Sequence, residues 1–293
     1  MMGVNRGCGK WMVCLVPAVL WAGCLGGPVP SAVRLDVTGV APSADVSDLA
    51  AVLNEVVTED GRVNPDALGR LAGRLEAQLR RMAVAGPRAT PGLFATYGSR
   101  WAYWYNARAA WSLKLAALAG CPREGCRVDM GGRPFPLDGR RMSLAEIDRI
   151  LLAEAQSSGD FRLAACAPGV RLSFGPMPKR PWSGEEFDGR LAEAFDQLVL
   201  DERRFEVDVE KRQVRVPPML WACRELVRRL YESEYGTAEA TLITAIGAYV
   251  GPAARRRLQG ALGYEAVERQ GQAELAIPRR KVYFPGRIGK VEP

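Results

Sequence analysis

The chain has 293 residues, 48% of them hydrophobic and 25% charged, with a net charge of +7 and no histidine. The missing imidazole excludes a Ser-His-Asp triad and a Cys-His dyad, and removes the commonest metal ligand and the usual general base near neutral pH. Chemistry would rest on carboxylates, lysine, tyrosine, or a cysteine or serine activated by other means; no metal and no cofactor is expected.

The first element is a leader. Arg6 and Lys10 form a short basic region, Trp11 to Leu20 an apolar stretch, and Ala22-Gly23 a pair of small residues before Cys24. A basic start, an apolar core of about 7–15 residues and small residues ahead of a cut describe a secretory signal. The stretch falls short of the ~20 apolar residues of a membrane span. Ala22-Gly23-Cys24 resembles the lipobox of bacterial lipoproteins, where the cysteine is lipidated and becomes the new N-terminus. Trp21 departs from it, standing where such signals carry leucine. Residues 1–23 are therefore expected to be a signal peptide. Cys24 is expected to be a lipidation site that tethers the protein to a membrane of the cell envelope; ordinary cleavage and an uncleaved anchor are the alternatives. Residues 24–47, rich in Gly, Pro, Ser, Ala and Val, read as a flexible tether without packed structure.

Of the seven cysteines, Cys8 and Cys14 fall in the leader and Cys24 is taken by lipid. Cys121, Cys126, Cys166 and Cys223 remain, an even number suited to an oxidising compartment. Cys121 and Cys126 flank a Pro-Arg-Glu-Gly turn and are the easiest pair to bridge. Cys166 and Cys223 read as a second bridge or as small buried hydrophobes. A zinc site from all four lacks a C-x2-C knuckle. Without Arg6 and Lys10 the net charge is +5, and arginine dominates it, with a run at Arg255–Arg257. In an exported protein this points to an anionic lipid or an envelope polymer as partner, or to no more than solvated helix faces; nucleic acid is not expected in that compartment.

Beyond the tether, Leu49, Val52, Leu53 and Val56 follow helical spacing, and Glu59-Asp60-Gly61 stops that helix. Asn64-Pro65 pairs an N-cap with proline at the first helical position, ahead of a stripe at Leu68, Leu71, Leu75, Leu79 and Met82. Ser99 to Leu118 is apolar nearly all round, which predicts a central buried helix. Val128–Met130 and Arg133–Phe135 predict a hairpin about Gly131-Gly132. Capping boxes at Ser143–Glu146 and Ser183–Glu186 open helices running to about 155 and 198. Between them, residues 160–182 are irregular. Phe205–Val209 and Val214–Val216 predict a second hairpin across Glu210–Arg212. Further helices are predicted from Pro217-Pro218, over Thr237–Val250 and from Pro252 to about Leu262. The whole predicts one helix-dominated α+β domain over residues 48–265 with two short antiparallel hairpins, and an irregular extension over 266–293.

The order of these elements resembles a known family. Gly61-Arg62-Val63-Asn64 is followed by Ala102-Tyr-Trp-Tyr-Asn106-Ala107 in the buried helix, then by Gly131-Gly132-Arg133. Met142-Ser-Leu-Ala-Glu-Ile-Asp148 and Asp160-Phe-Arg162-Leu163 come next. Together they are similar to the domain-of-unknown-function family 547, over roughly residues 49–250. After the Arg-Leu pair that family carries a His, a Cys and a Cys-Pro-Pro. This chain has Ala164, Gly169 and Phe174-Gly175-Pro176 at those places, and Ala109 where a second helical asparagine would stand. The family's Asp-Trp-Ser-Leu-Asn ending is also missing near Tyr283–Pro285. The resemblance thus implies a divergent member, and one without its relatives' chemistry if those positions are catalytic in them.

The candidate site residues are Asn106, Asp148, Asp160 and Cys166. A buried Asn106 amide must be hydrogen-bonded, either to pin the 160–182 segment or to orient a ligand. Glu146 belongs to its capping box, and Asp148 is expected to pair with Arg162. Trp101, Trp104 and Trp111 read as core rather than as a ligand platform. Three functions follow: a non-catalytic envelope domain that binds or scaffolds; a hydrolase of envelope polymers using Asp148, Asp160 or Glu185; and a hydrolase or thiol exchanger using Cys166, which would need a depressed thiol pKa.

Overall fold

The computed structural model describes residues 32–119, 131–237 and 240–269. Cys24 and the expected leader, Cys121 and Cys126, the strand expected over Val128–Met130, and residues 270–293 lie outside the described residues. The architecture is helix-dominated α+β, with a two-stranded and a three-stranded sheet among the described residues.

Helix α1 (Ser47–Val56) turns Leu49, Val52, Leu53 and Val56 inward. Its start is held by buried Gln78, which accepts from Leu49 N and donates to Asp45 O. The preceding chain is not free of packing: Val33 N bonds Pro134 O, and Val33 and Leu35 lie against the core, which corrects the expected tether over 32–47. Helix α2 (Pro65–Arg70) begins as its sequence dictates, with Asn64 Oδ1 accepting from Asp66 N and Ala67 N. Helix α3 (Ala72–Val84) buries Leu75, Leu79 and Met82.

Helix α4 (Tyr97–Leu118) is the central element. A reciprocal Thr96–Ser99 capping box opens it. Every residue from Trp101 to Leu113 is buried, including Asn106 and Arg108. Aromatic partners surround it: Trp111 stacks on Phe135 at 4.0 Å, and Tyr105 meets Phe187 edge-on at 5.4 Å.

Strands β1 (Phe135–Leu137) and β2 (Arg140–Met142) form a hairpin about an Asp138-Gly139 turn that was not expected; the first strand of the hairpin expected about Gly131-Gly132 lies outside the described residues. Both turn residues have positive φ, 52° and 70°, as a two-residue hairpin turn of mirror type requires. The Asp138 carboxylate is buried and accepts from Arg88 N and Ala89 N, so the turn is tied to the loop after α3.

Helix α5 (Leu144–Ser158) starts at the Ser143 cap and stops at left-handed Gly159. A short α6 (Arg162–Ala165) leads into the loop 166–176. Ser183 Oγ accepts from Glu186 N, yet regular α7 (Phe187–Leu200) starts only at Phe187. Strands β3 (Glu206–Asp208) and β4 (Gln213–Val216) pair antiparallel as expected. Then come α8 (Pro218–Ala222) and α9 (Arg224–Tyr235). The helix expected over Thr237–Val250 is shorter: α9 ends at left-handed Gly236 and α10 (Leu242–Ala248) starts after the Thr241 cap. After α11 (Pro252–Gln259), β5 (Glu265–Glu268) joins β4 in parallel register, Val214 opposite Ala266. That strand falls where an irregular extension was expected to begin.

Candidate functional site

The sequence-selected residues do not converge on one site. Asn106 is 2% exposed, and its amide bonds the Trp182 backbone at both ends: Nδ2 donates to the carbonyl at 2.9 Å and Oδ1 accepts from the N–H at 2.8 Å. It pins the irregular segment to α4 from a position shielded from solvent.

Two residues further along α4, the Arg108 side chain is 1% exposed. Its Nε donates to Asp148 Oδ1 at 2.5 Å and its Nη2 to Asp148 Oδ2 at 3.2 Å, while Nη1 donates to Pro168 O. The guanidinium also lies 4.0 Å from the centroid of the Phe174 ring. Asp148 therefore pairs with Arg108 and not with Arg162. Gly169 completes this cluster: a Cβ there would come within 2.9 Å of both Arg108 Nη1 and Phe174 Cβ. Ala109 and Ala164 are fully buried. The space beside Gly169 is filled by Arg108, Phe174 and backbone.

Cys166 is 1% exposed and unbridged, as is Cys223, so no second disulfide joins them. Burial pushes the Cys166 thiol well above its ordinary value, although the Arg162 charge acts the other way. A nucleophile needs the thiolate, which this site suppresses, so the Cys166 hydrolase reading fails on geometry. Glycine at 175 keeps the backbones close: a Cβ there would lie 2.5 Å from Cys166 O. Treating the native protein with iodoacetamide near pH 8 is expected to leave Cys166 and Cys223 unlabelled, and unfolding in guanidinium to label both. Mass spectrometry checks this, and native labelling of Cys166 would contradict it.

Arg204 is a second buried guanidinium, with no exposed surface. Its Nη1 donates to Arg171 O at 3.0 Å and Phe174 O at 2.5 Å, and its Nε to Asp201 Oδ2 at 3.0 Å. Arg108 and Arg204 thus clamp the loop 167–175 from opposite elements. Burial raises the Asp201 carboxyl, but the hydrogen bonds from Arg203 and the Arg204 charge outweigh it, so its pKa falls below the ordinary 3.8. The folded pKa is depressed, so the contribution is present above the unfolded value near 3.8 and lost as pH falls through the folded one. Urea unfolding titrated from pH 5 to pH 2 is expected to show a stability slope below about pH 4 that Asp201→Asn reduces. An unchanged slope would contradict it.

Asp160 and Arg162 lie elsewhere, on an open depression of about 470 Å³. They form a bidentate pair, Nε to Oδ1 and Nη2 to Oδ2, both at 2.8 Å, with each side chain less than a third exposed. Ser158, Ser233, Glu234 and Tyr249 also line it. The Tyr249 ring rests edge-on against Phe161 at 5.3 Å, and its hydroxyl donates to Glu234 at 3.2 Å. Burial, then Glu234, pushes that hydroxyl up to about 12, so it stays a protonated donor. Glu234 and Tyr249 were not singled out in the sequence, because each reads as a surface residue at a helix end. Glu185 is exposed and lines no part of this depression. Among the described residues no group of three or more Cys, Asp or Glu is placed to hold a metal ion, and no helix is long and apolar enough to cross a membrane.

Compared with protein-family models, curated proteins and solved structures, the chain matches none.

Proposed function

We propose that this protein is a membrane-tethered, non-catalytic binding domain of the cell envelope, a divergent relative of the domain-of-unknown-function family 547. One observation carries the reading: the residues best placed for chemistry are spent on structure. Asn106 is buried and bonded to the Trp182 backbone, Asp148 neutralises Arg108, Cys166 is buried, and Arg108 with Phe174 fills the space beside Gly169. The binding face is the Asp160–Tyr249 depression. A held aromatic ring beside planar polar groups of fixed orientation suits a polyhydroxylated polymer, offering one face for stacking and several directed hydrogen bonds. The membrane tether is the lipid on Cys24.

Two variants test this. Tyr249→Ala is expected to reduce co-sedimentation with isolated envelope glycan about tenfold while melting within a few degrees of wild type; unchanged retention would contradict the assigned face. Cys24→Ala is expected to leave the membrane fraction and lose lipid-dependent processing; wild-type fractionation and processing would contradict the tether. A second reading, an envelope hydrolase, is favoured by one feature: the two carboxylates, Asp160 and Glu234, share the same depression.

A further inference from the structure

A second depression, of about 370 Å³, lies at the junction of α8, α9, α10 and β5, lined by Trp221, Arg224, Glu225, Arg228, Thr241 and Ala266 among others. Its charge is unbalanced. Arg224 and Arg228 share one carboxylate, Glu225, at 3.6 Å and 3.8 Å, distances that give attraction but no hydrogen bond. Glu225 is itself the most exposed of the three, at 63% of its side chain against 40% for each arginine, so water screens it most. Arg228 Nε is shielded from solvent and has no partner among the described residues. Arg224 is held in place: Nη1 donates to Trp221 O at 3.1 Å, and its guanidinium lies 4.7 Å from the Trp221 ring centroid. By contrast, Arg108, Arg204 and Arg257 each make two or more hydrogen bonds to carboxylates or carbonyls. The pair at 224 and 228 keeps donors unspent beside a concave aromatic wall.

We propose that this depression binds a phosphate group, with Arg224 and Arg228 as its donors and Trp221 packing on the carbon portion of the molecule that bears it. Guanidinium forks match the several oxygens of phosphate, and two of them outweigh one screened carboxylate. A carboxylate ligand would use fewer of these donors. The same chemistry belongs to free phosphate and to the phosphodiester of an anionic lipid headgroup. The site does not depend on the glycan-binding face, which lies at the other end of α9.

The detergent-solubilised full chain is titrated by calorimetry with inorganic phosphate, with a soluble short-chain phosphatidylglycerol, and with succinate. Binding of phosphate and phosphatidylglycerol alike supports a site for the phosphate group itself. Binding of phosphatidylglycerol alone supports a headgroup site. Arg224→Gln and Arg228→Gln are each expected to weaken binding about tenfold. Glu225→Gln, which removes the competing carboxylate, is expected to tighten it about threefold. All three positions are partly exposed, so melting temperature should stay near wild type and a folding defect is separable from lost binding. No heat with either phosphate probe, wild-type affinity in both arginine variants, or succinate binding as tightly as phosphate would overturn the proposal.

Discussion

Arg108→Met is expected to lower the unfolding free energy by about 3–5 kcal/mol, seen as a shifted urea midpoint and a melting temperature lower by about 10 °C. The magnitude follows from what the change strands. Asp148, 18% exposed, would lose both its hydrogen bonds to the guanidinium, and Pro168 O would lose its donor. Breaking a buried pair by removing one partner leaves a charge without compensation, which costs more than the pair contributes. The ring contact with Phe174 goes as well. The double variant Arg108→Met, Asp148→Leu should recover part of the loss, because no buried charge is then orphaned. Its coupling energy in a double-mutant cycle should be well above the few tenths of a kcal/mol of unconnected sites. A midpoint shift below about 1 kcal/mol for Arg108→Met would mean that the pair is open to water and the loop is held by other contacts.

Arg204→Met is expected to cost a comparable amount, about 3–4 kcal/mol, by the same measurement. Arg204 ties the end of α7 to the carbonyls of Arg171 and Phe174, and both would be left without this donor. Asp201 keeps Arg203, which donates from Nε and Nη2 at 2.9 Å, so its charge is not fully stranded. That is why the loss should not exceed that at Arg108. Arg204→Lys should recover little, because one ammonium on a flexible stem cannot span a carboxylate and two carbonyls. Burial has already pushed the Arg204 guanidinium down to about 10, against the attraction of Asp201, and its Nη2 finds no partner among the described residues. A depressed cation opposes folding below its folded pKa, and that opposition is relieved as pH rises above about 10 toward the ordinary guanidinium value.

Much of this architecture is legible in residue order, where local chemistry decides. Asn64-Pro65 and Ser143 mark helix starts through side-chain acceptors that satisfy the first turn. The unbroken apolar character of α4 places it at the centre, and alternation over β3 and β4 places their hairpin. What escaped was set by distance or by competition between signals. The Asp138-Gly139 turn is fixed by a distant contact, the Asp138 carboxylate accepting from the loop after α3. Strand β5 has only two apolar residues and takes its structure from parallel pairing to β4, a partner about fifty residues earlier. The break before Thr237 was expected, but the late start of α10 at Leu242 was not, because it is set by the Thr241 cap, whose hydroxyl bonds Thr244 N and Leu262 O.

The candidate site was less legible, for one reason. Arg108 sits among aromatic residues and reads as a polar exception on a buried helix. Its partner Asp148 is 40 positions away, while Arg162, the partner expected for it, is nearer in sequence but bound to Asp160. Paired buried charges leave no periodic trace. Asp160 and Arg162 were selected for their part in the family-like Asp-Phe-Arg segment, and they line the depression. Tyr249 and Glu234, which face them, come from elements joined only by folding.

The measurement that bears most directly on a binding domain without a catalytic centre is product release from isolated envelope glycan incubated with the full chain. The account predicts that the polymer is retained on the protein and that no new reducing ends appear above the buffer control. Reducing ends that accumulate with wild type and vanish in Asp160→Asn or Glu234→Gln would contradict it, and would make the depression a carboxylate active site.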